Sequence, residues 1–290
     1  MPRTLSNSLT VKEAMHRQVV HQPRLASLEQ AIRYMIKYKI DEVLIVNELL
    51  EAIGVVTKTD LMGAYYADLP INTPLQEVMT LPLFCHMNDP LDLALDTMRT
   101  QRIHRLYVWD ETPNLAVGVL GYTDIVGLIY SCCSNCDKSI LKSKGGSGKT
   151  LADQFRNREV MTPGVYAYRV NDSLLKLIED LAAHAFEALL IRGENDYPVG
   201  VVSKTDLIIA YRHGIPLESE AQTIMTQPVQ TSDQNDFLAN ALRKMIFFDL
   251  QYLFIFKGSP SNIVGVLSLT DVAQFRSGTC RACASSRIKI

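Results

Sequence analysis

Four aspartates in this chain share one local setting. Asp60 closes Thr57-Lys58-Thr59-Asp60, and Asp124 closes Gly121-Tyr122-Thr123-Asp124. Asp206 closes Ser203-Lys204-Thr205-Asp206, and Asp271 closes Ser268-Leu269-Thr270-Asp271. A hydroxyl and a carboxylate three residues apart at a helix start can do two things. They can cap the helix by satisfying its orphan amides. They can also read a sugar, because a carboxylate accepts two hydrogen bonds from a cis-diol, each worth about 1.5–3 kcal/mol. The amides of the same helix end suit a phosphate. Capping alone accounts for any single copy as well as sugar contact does.

Charge separates the copies. Lys58 and Lys204 stand inside the first and third motifs, where the second and fourth have Tyr122 and Leu269. The second copy instead opens a strand with Arg102-Ile103-His104-Arg105, where the odd copies are acidic at Asp41-Glu42 and Glu187. A lysine from one repeat and Arg105 from its partner are placed to reach phosphates in a shared cleft. The competing reading is a solvated surface lysine, and His104 reads as a strand-edge side chain. Gly121 stands where the other motifs have Thr57, Ser203 or Ser268. It removes one hydroxyl, so the four sites are expected to be unequal.

Two further motifs bear chemistry. Cys133-x-x-Cys136 and Cys280-x-x-Cys283 each begin nine residues after a motif aspartate. If the halves of the chain pack about a pseudo-twofold axis, four thiolates could hold zinc, with Zn–S distances of about 2.3 Å, or an iron–sulfur cluster. Against this stand the long gap between the pairs, the extra thiol of Cys132 and the lack of a thioredoxin-like unit. Inert thiols are the alternative, and Cys85 reads as core. Ser143-Lys144-Gly145-Gly146-Ser147-Gly148-Lys149-Thr150 looks like a phosphate-binding loop. It lacks a strong buried strand before it and an acidic strand after it, so it reads as a flexible linker. The six histidines are scattered. None pairs with a serine or cysteine in a known pattern, so no enzyme activity is expected.

The elements that position the aspartates repeat as well. Met15, Met79, Met161 and Met225 precede the aspartates by 45, 45, 45 and 46 residues. A shift of 146 positions lays one half of the chain on the other, Ala64-Tyr65 on Ala210-Tyr211 included. Behind each methionine an amphipathic helix is expected. Its apolar face is Leu28, Ala31, Ile32, Met35 and Ile36 in the first repeat, with Ser27 and Gln30 as a capping box. Leu91, Ala94, Leu95 and Met98 serve in the second, behind Asp89 as N-cap. Leu174, Leu177, Ile178 and Leu181 serve in the third, and Leu238, Ala241, Leu242 and Met245 in the fourth. Two short apolar strands follow each helix, such as Val43–Val46 with Ile53–Val56 and Ala188–Ile191 with Val199–Val202. A second helix starts at each motif.

This pattern resembles the CBS domain, and the pairs resemble Bateman modules. The resemblance covers almost the whole chain. It implies an α/β (α+β) fold of four β-α-β-β-α repeats arranged as two pseudo-twofold modules. The first module spans residues 1–138, with repeats over about 9–66 and 73–130. A Gly/Ser/Lys linker follows at 139–152. The second spans 153–290, with repeats over about 155–212 and 219–276 and a C-terminal CxxC tail. The resemblance further implies adenine nucleotides (AMP, ADP or ATP) in clefts between repeats. S-adenosylmethionine or NAD rank behind them. Thr57, Lys58, Asp60, Arg105, Asp124, Ser203, Lys204, Asp206, Ser268 and Asp271 are then the binding residues. Binding would be signalled to a protein partner.

Composition fits that expectation. A chain of 290 residues buries about 75% of its unfolded surface. A net charge of −2 and the lack of a basic stripe argue against nucleic acid. No apolar run approaches the ~20 residues of a membrane span, and no signal peptide is evident. A cytoplasmic protein without membrane contact is expected. A homodimer and a four-repeat disc closed by one chain are both compatible with the repeats.

Overall fold

The structure is a computed structural model that describes residues 9–128, 155–184 and 186–274. Four small sheets each carry a pair of helices. The first unit runs α1 (Val11–Ala14), β1 (His21–Pro23), α2 (Leu28–Tyr38), β2 (Glu42–Val46), β3 (Ala52–Thr57) and α3 (Lys58–Tyr66). The second runs β4 (Phe84–His86), α4 (Leu91–Thr100), β5 (Arg105–Trp109), β6 (Gly118–Gly121) and α5 (residues 122–128). The third runs β7 (Thr162–Pro163), β8 (Ala167–Arg169), α6 (Leu174–His184), β9 (Ala188–Arg192), β10 (Pro198–Ser203) and α7 (Lys204–Arg212). The fourth runs β11 (Thr231–Asp233), α8 (Leu238–Phe247), β12 (Tyr252–Lys257), β13 (Ser259–Ser268) and α9 (Leu269–Gln274). In each unit the short strand pairs parallel with the middle one, which pairs antiparallel with the motif strand.

The predicted helix faces are the buried ones. Ser27 and Gln30 form the expected capping box. The start of α4 differs. Its N-cap is Pro90, with no side-chain cap, and Asp89 instead accepts a hydrogen bond from the His86 amide. The Asp89 carboxylate therefore closes the preceding turn and does not reach the helix. Cys85 is buried on β4, and burial pushes its thiol up to about 12.

Two kinds of interface join the units into a ring. The sheets of units one and two face each other through Leu44, Val46, Val55, Tyr107 and Val119. Those of units three and four meet through Leu190, Val201, Phe254 and Ile263. Helices close the ring. Those of units one and three share one core, and those of units two and four share another. At the first helix interface Tyr65 and Tyr211 stack with centroids 5.0 Å apart. Each hydroxyl donates to a carbonyl of the other half, Tyr65 to Ile215 and Tyr211 to Leu69. The duplicated Ala-Tyr dipeptide is thus the pseudo-twofold contact itself.

The repeated methionines do not serve their own units. Each opening segment crosses to the motif strand of the partner unit, through bridges such as His16–Val119, Thr80–Val55 and Thr226–Val201. β7 goes furthest and pairs with β13. A Cβ added to Gly54 would lie 2.4 Å from Met79 Sδ, and one on Gly200 2.7 Å from Met225 Sδ. On Gly118 it would lie 2.8 Å from the His16 carbonyl oxygen, and on Gly265 2.6 Å from that of Thr162. Met15 and Met161 pack over these two glycines.

Backbone cannot retreat as a thioether can, so Gly265→Ala is expected to cost about 1–3 kcal/mol by overpacking. Gly63 on α3 has nothing within 4 Å of an added Cβ. Gly63→Ala is expected to stabilise by about 0.5–1 kcal/mol through helix propensity. Urea denaturation of both variants checks the contrast in sign.

Candidate functional site

The motif turns are helix caps. Thr57 caps α3, and its amide and hydroxyl both donate to Asp60 Oδ2, at 2.8 and 2.7 Å. Ser203 does the same to Asp206 Oδ2 at 2.7 and 2.6 Å, and Ser268 to Asp271 Oδ2 at 2.7 and 2.6 Å. In the second unit, among the described residues, only the Gly121 amide donates to Asp124 Oδ2, at 2.7 Å. The loss of a hydroxyl there is visible as a lost hydrogen bond.

The second carboxylate oxygen meets the partner unit. Thr226 Oγ1 donates to Asp206 Oδ1, and Thr162 Oγ1 to Asp271 Oδ1, both at 2.9 Å. His16 Nδ1 lies 2.9 Å from Asp124 Oδ1. These residues directly follow Met225, Met161 and Met15. The methionine packed on its glycine sets the next side chain against the aspartate. Sequence reading missed this set, although position after the methionine was its signal.

Asp206 and Asp124 each line a cavity. A cleft of about 410 Å³ contains Ser203, Asp206, Val201, Thr226 and Tyr252. Burial, and then the charge of Asp206, push the Tyr252 phenol well up, and its hydroxyl bonds Ser203. A second cleft, about 430 Å³, contains Asp124, Gly121, His16, Tyr38 and Arg105. Asp60 and Asp271 line neither. In the third unit Tyr166, His184 and Phe186 stack on one another, with centroids 4.6 to 5.3 Å apart. By the internal repeat they stand where Val20, Tyr38 and Ile40 line the Asp124 cleft.

Between the clefts lies a network of charges. Lys58 Nζ donates to Asp41 Oδ1 at 2.7 Å and across the modules to Thr205 Oγ1 at 2.8 Å. Arg105 donates to Asp41 Oδ2 at 3.1 Å, and Gln251 reaches the same carboxylate. Lys204 Nζ lies 2.9 Å from Glu187 Oε1, and His104 Nε2 lies 3.6 Å from that oxygen. The odd-repeat acids and the motif lysines are thus partners, 17 residues apart in both units. Burial raises the Asp41 pKa, but Lys58 and Arg105 outweigh it and leave it below the ordinary value. Beside it, burial holds Glu42 above the ordinary range.

Cys133, Cys136, Cys280, Cys283 and the Gly/Ser/Lys segment around Lys149 lie outside the described residues. Among the described residues no group of three or more His, Cys, Asp or Glu side chains is placed to hold a metal ion. None of the described helices is long and apolar enough to cross a membrane.

The depressed Asp41 pKa has a defined sign. Its contribution to stability is present above the ordinary value of 3.8 and is lost as pH falls through the lower folded value. Asp41→Asn should therefore cost about 1–3 kcal/mol at pH 7, leaving Lys58 and Arg105 short of a carboxylate. The cost should shrink towards zero as pH falls through that lowered folded value. Thermal denaturation of both proteins across that range measures it.

Comparison with known proteins agrees with the fold. The CBS domain model matches residues 11–67, 75–131 and 158–213. No curated protein matches the sequence. Protein MJ1225 from Methanocaldococcus jannaschii is similar in structure, with a TM-score of 0.72, 17% identity and coverage of 92% of this chain and 99% of that one. An uncharacterized conserved protein from Pyrococcus horikoshii gives a TM-score of 0.59 and 18% identity at the same coverages. A CBS domain protein from Pyrobaculum aerophilum, solved complexed with AMP, covers 40% of this chain and 90% of its own, with 21% identity and a TM-score of 0.39. At these identities the likeness is one of fold. The family model covers more than half of the sequence, and the chain belongs to the CBS domain family.

Proposed function

We propose that this protein is a regulatory sensor that binds adenosine ligands, AMP, ADP and ATP among them, in clefts between paired units. The observation that carries the reading is the Asp206 cleft. It joins an acidic helix-capping turn, an apolar strand face at Val201 and an aromatic side chain, Tyr252, in about 410 Å³. That volume lies within the range of about 300–1,000 Å³ usual for small-molecule sites. A carboxylate offers about four lone-pair sites. Asp206 spends three of them on Ser203 and Thr226, so capping the helix and holding a ribose hydroxyl are compatible.

The same cleft contains Lys58 and Asp41 from the first module. A ligand seated there touches both halves of the ring. It shifts their packing by as much as its affinity differs between two arrangements. A protein partner then reads the changed surface. The Asp124 cleft supplies a second place for a ligand, with one capping hydroxyl fewer.

The test is a thermal-shift and calorimetry series with adenosine, AMP and ATP. A ligand at 100 times its dissociation constant should stabilise the protein by about 2.7 kcal/mol. Asp206→Ala should weaken binding in its cleft about tenfold or more, the loss of one charge-assisted hydrogen bond. Unchanged affinity in Asp60→Ala, Asp206→Ala and Asp271→Ala alike would show that these aspartates only cap helices.

A further inference from the structure

We propose that the two clefts divide adenosine ligands by charge. The Asp206 cleft takes a nucleoside whose 5′ group is neutral or cationic, and the Asp124 cleft takes a phosphorylated one. The inference rests on the functional reading above and assigns a ligand class to each cleft.

The charges lining the two hollows differ. Three lysines line the Asp206 cleft, Lys39, Lys58 and Lys204, against four carboxylates, Asp41, Glu187, Asp206 and Asp249. Each lysine is already bonded to an acid. Lys58 meets Asp41 at 2.7 Å, Lys204 meets Glu187 at 2.9 Å, and Lys39 meets Asp249. The Lys58 and Lys204 side chains are only 12% exposed, so these two pairs are shielded from water. A phosphate entering this cleft must share each lysine with the acid that already holds it. That carboxylate then faces the phosphate as a like charge in a partly buried space. An uncharged 5′ group disturbs none of these pairs, and a cationic one meets carboxylates on several sides.

The Asp124 cleft has the opposite balance. Lys37, Lys39 and Arg105 line it against the single carboxylate of Asp124, and His16 stands beside that carboxylate. Lys39 is the same lysine that pairs with Asp249, and the Arg105 guanidinium is shared with Asp41; both of those carboxylates lie outside this cleft's lining. Lys37 lies over the Tyr38 ring, 5.0 Å from its centroid. Among the described residues its ammonium makes no ion pair with a carboxylate. One position contributes directly to the difference. Arg105, opposite Gly121 in the first module, corresponds to Tyr252, opposite Ser268 in the second. A cation lining the Asp124 cleft is replaced by an aromatic side chain lining the Asp206 cleft.

Calorimetry with adenosine, S-adenosylmethionine, AMP and ATP tests the division, using Asp124→Ala to isolate the Asp206 cleft and Asp206→Ala to isolate the other. In Asp124→Ala, adenosine and S-adenosylmethionine should bind about tenfold or more tighter than ATP, a difference of about 1.4 kcal/mol. In Asp206→Ala the order should reverse, and ATP affinity should fall as salt rises. Added to Asp124→Ala, Glu187→Gln removes one acid from Lys204 and should raise AMP affinity severalfold with adenosine unchanged. ATP or AMP binding more tightly than adenosine in Asp124→Ala would overturn the division while leaving the sensor reading intact. Binding of none of the four compounds to the unaltered protein would overturn both.

Discussion

A methionine from one unit occupies the space that a side chain would need on the motif strand of its partner. The site depends on that contact. Glycine is required at positions 54, 118, 200 and 265 because the neighbouring segment approaches within 3 Å of where a Cβ would stand. The approach holds the crossing segment against the motif strand. Beside Gly118, Gly200 and Gly265 it also delivers the next residue, His16, Thr226 or Thr162, to the aspartate at the helix start. The Asp124 cleft is lined by units one and two, and the Asp206 cleft by units one, three and four. No unit completes either alone, because the carboxylate and the facing wall come from different units.

The ring of four units adds a second dependence. Sheets pack on sheets within a module, and helices pack on helices between modules. The middle of the ring is then a place where polar strand ends from several units converge. Lys58, Arg105 and Gln251 meet at Asp41, and Lys204 and His104 meet at Glu187. Partly buried charges need partners, and here the partners come from different units. The packing of the modules and the charge state of the clefts are thereby linked.

Much of the fold was legible in the chain. Leu28, Ala31, Ile32 and Met35 recur at helical spacing, and their burial follows from that periodicity alone. The same holds for the apolar strands and for the turns at Asp60, Asp206 and Asp271, where the hydroxyl and the carboxylate are local neighbours. Asp89 was misassigned because an aspartate before Pro-Leu satisfies either a helix or the turn before it, and the His86 amide was nearer. The lysines and acids were both visible as charged positions. Their pairing was not, because a side chain at position 41 can turn toward a ligand, solvent or Lys58, and only the packed strand ends choose among these.

The linear chain determined what repetition and short-range stereochemistry can determine: the units, their helix faces, their capping turns and the aspartates. Those properties depend on residues a few positions apart, whose geometry is set by backbone periodicity. The tertiary structure decided which unit completes which cleft, and which clefts remain open. It also decided that the rings of Tyr166, His184 and Phe186 stack together where Val20, Tyr38 and Ile40 leave a hollow. These outcomes depend on surfaces brought together from distant positions. Their separation in space is set by packing, and no spacing along the chain encodes it.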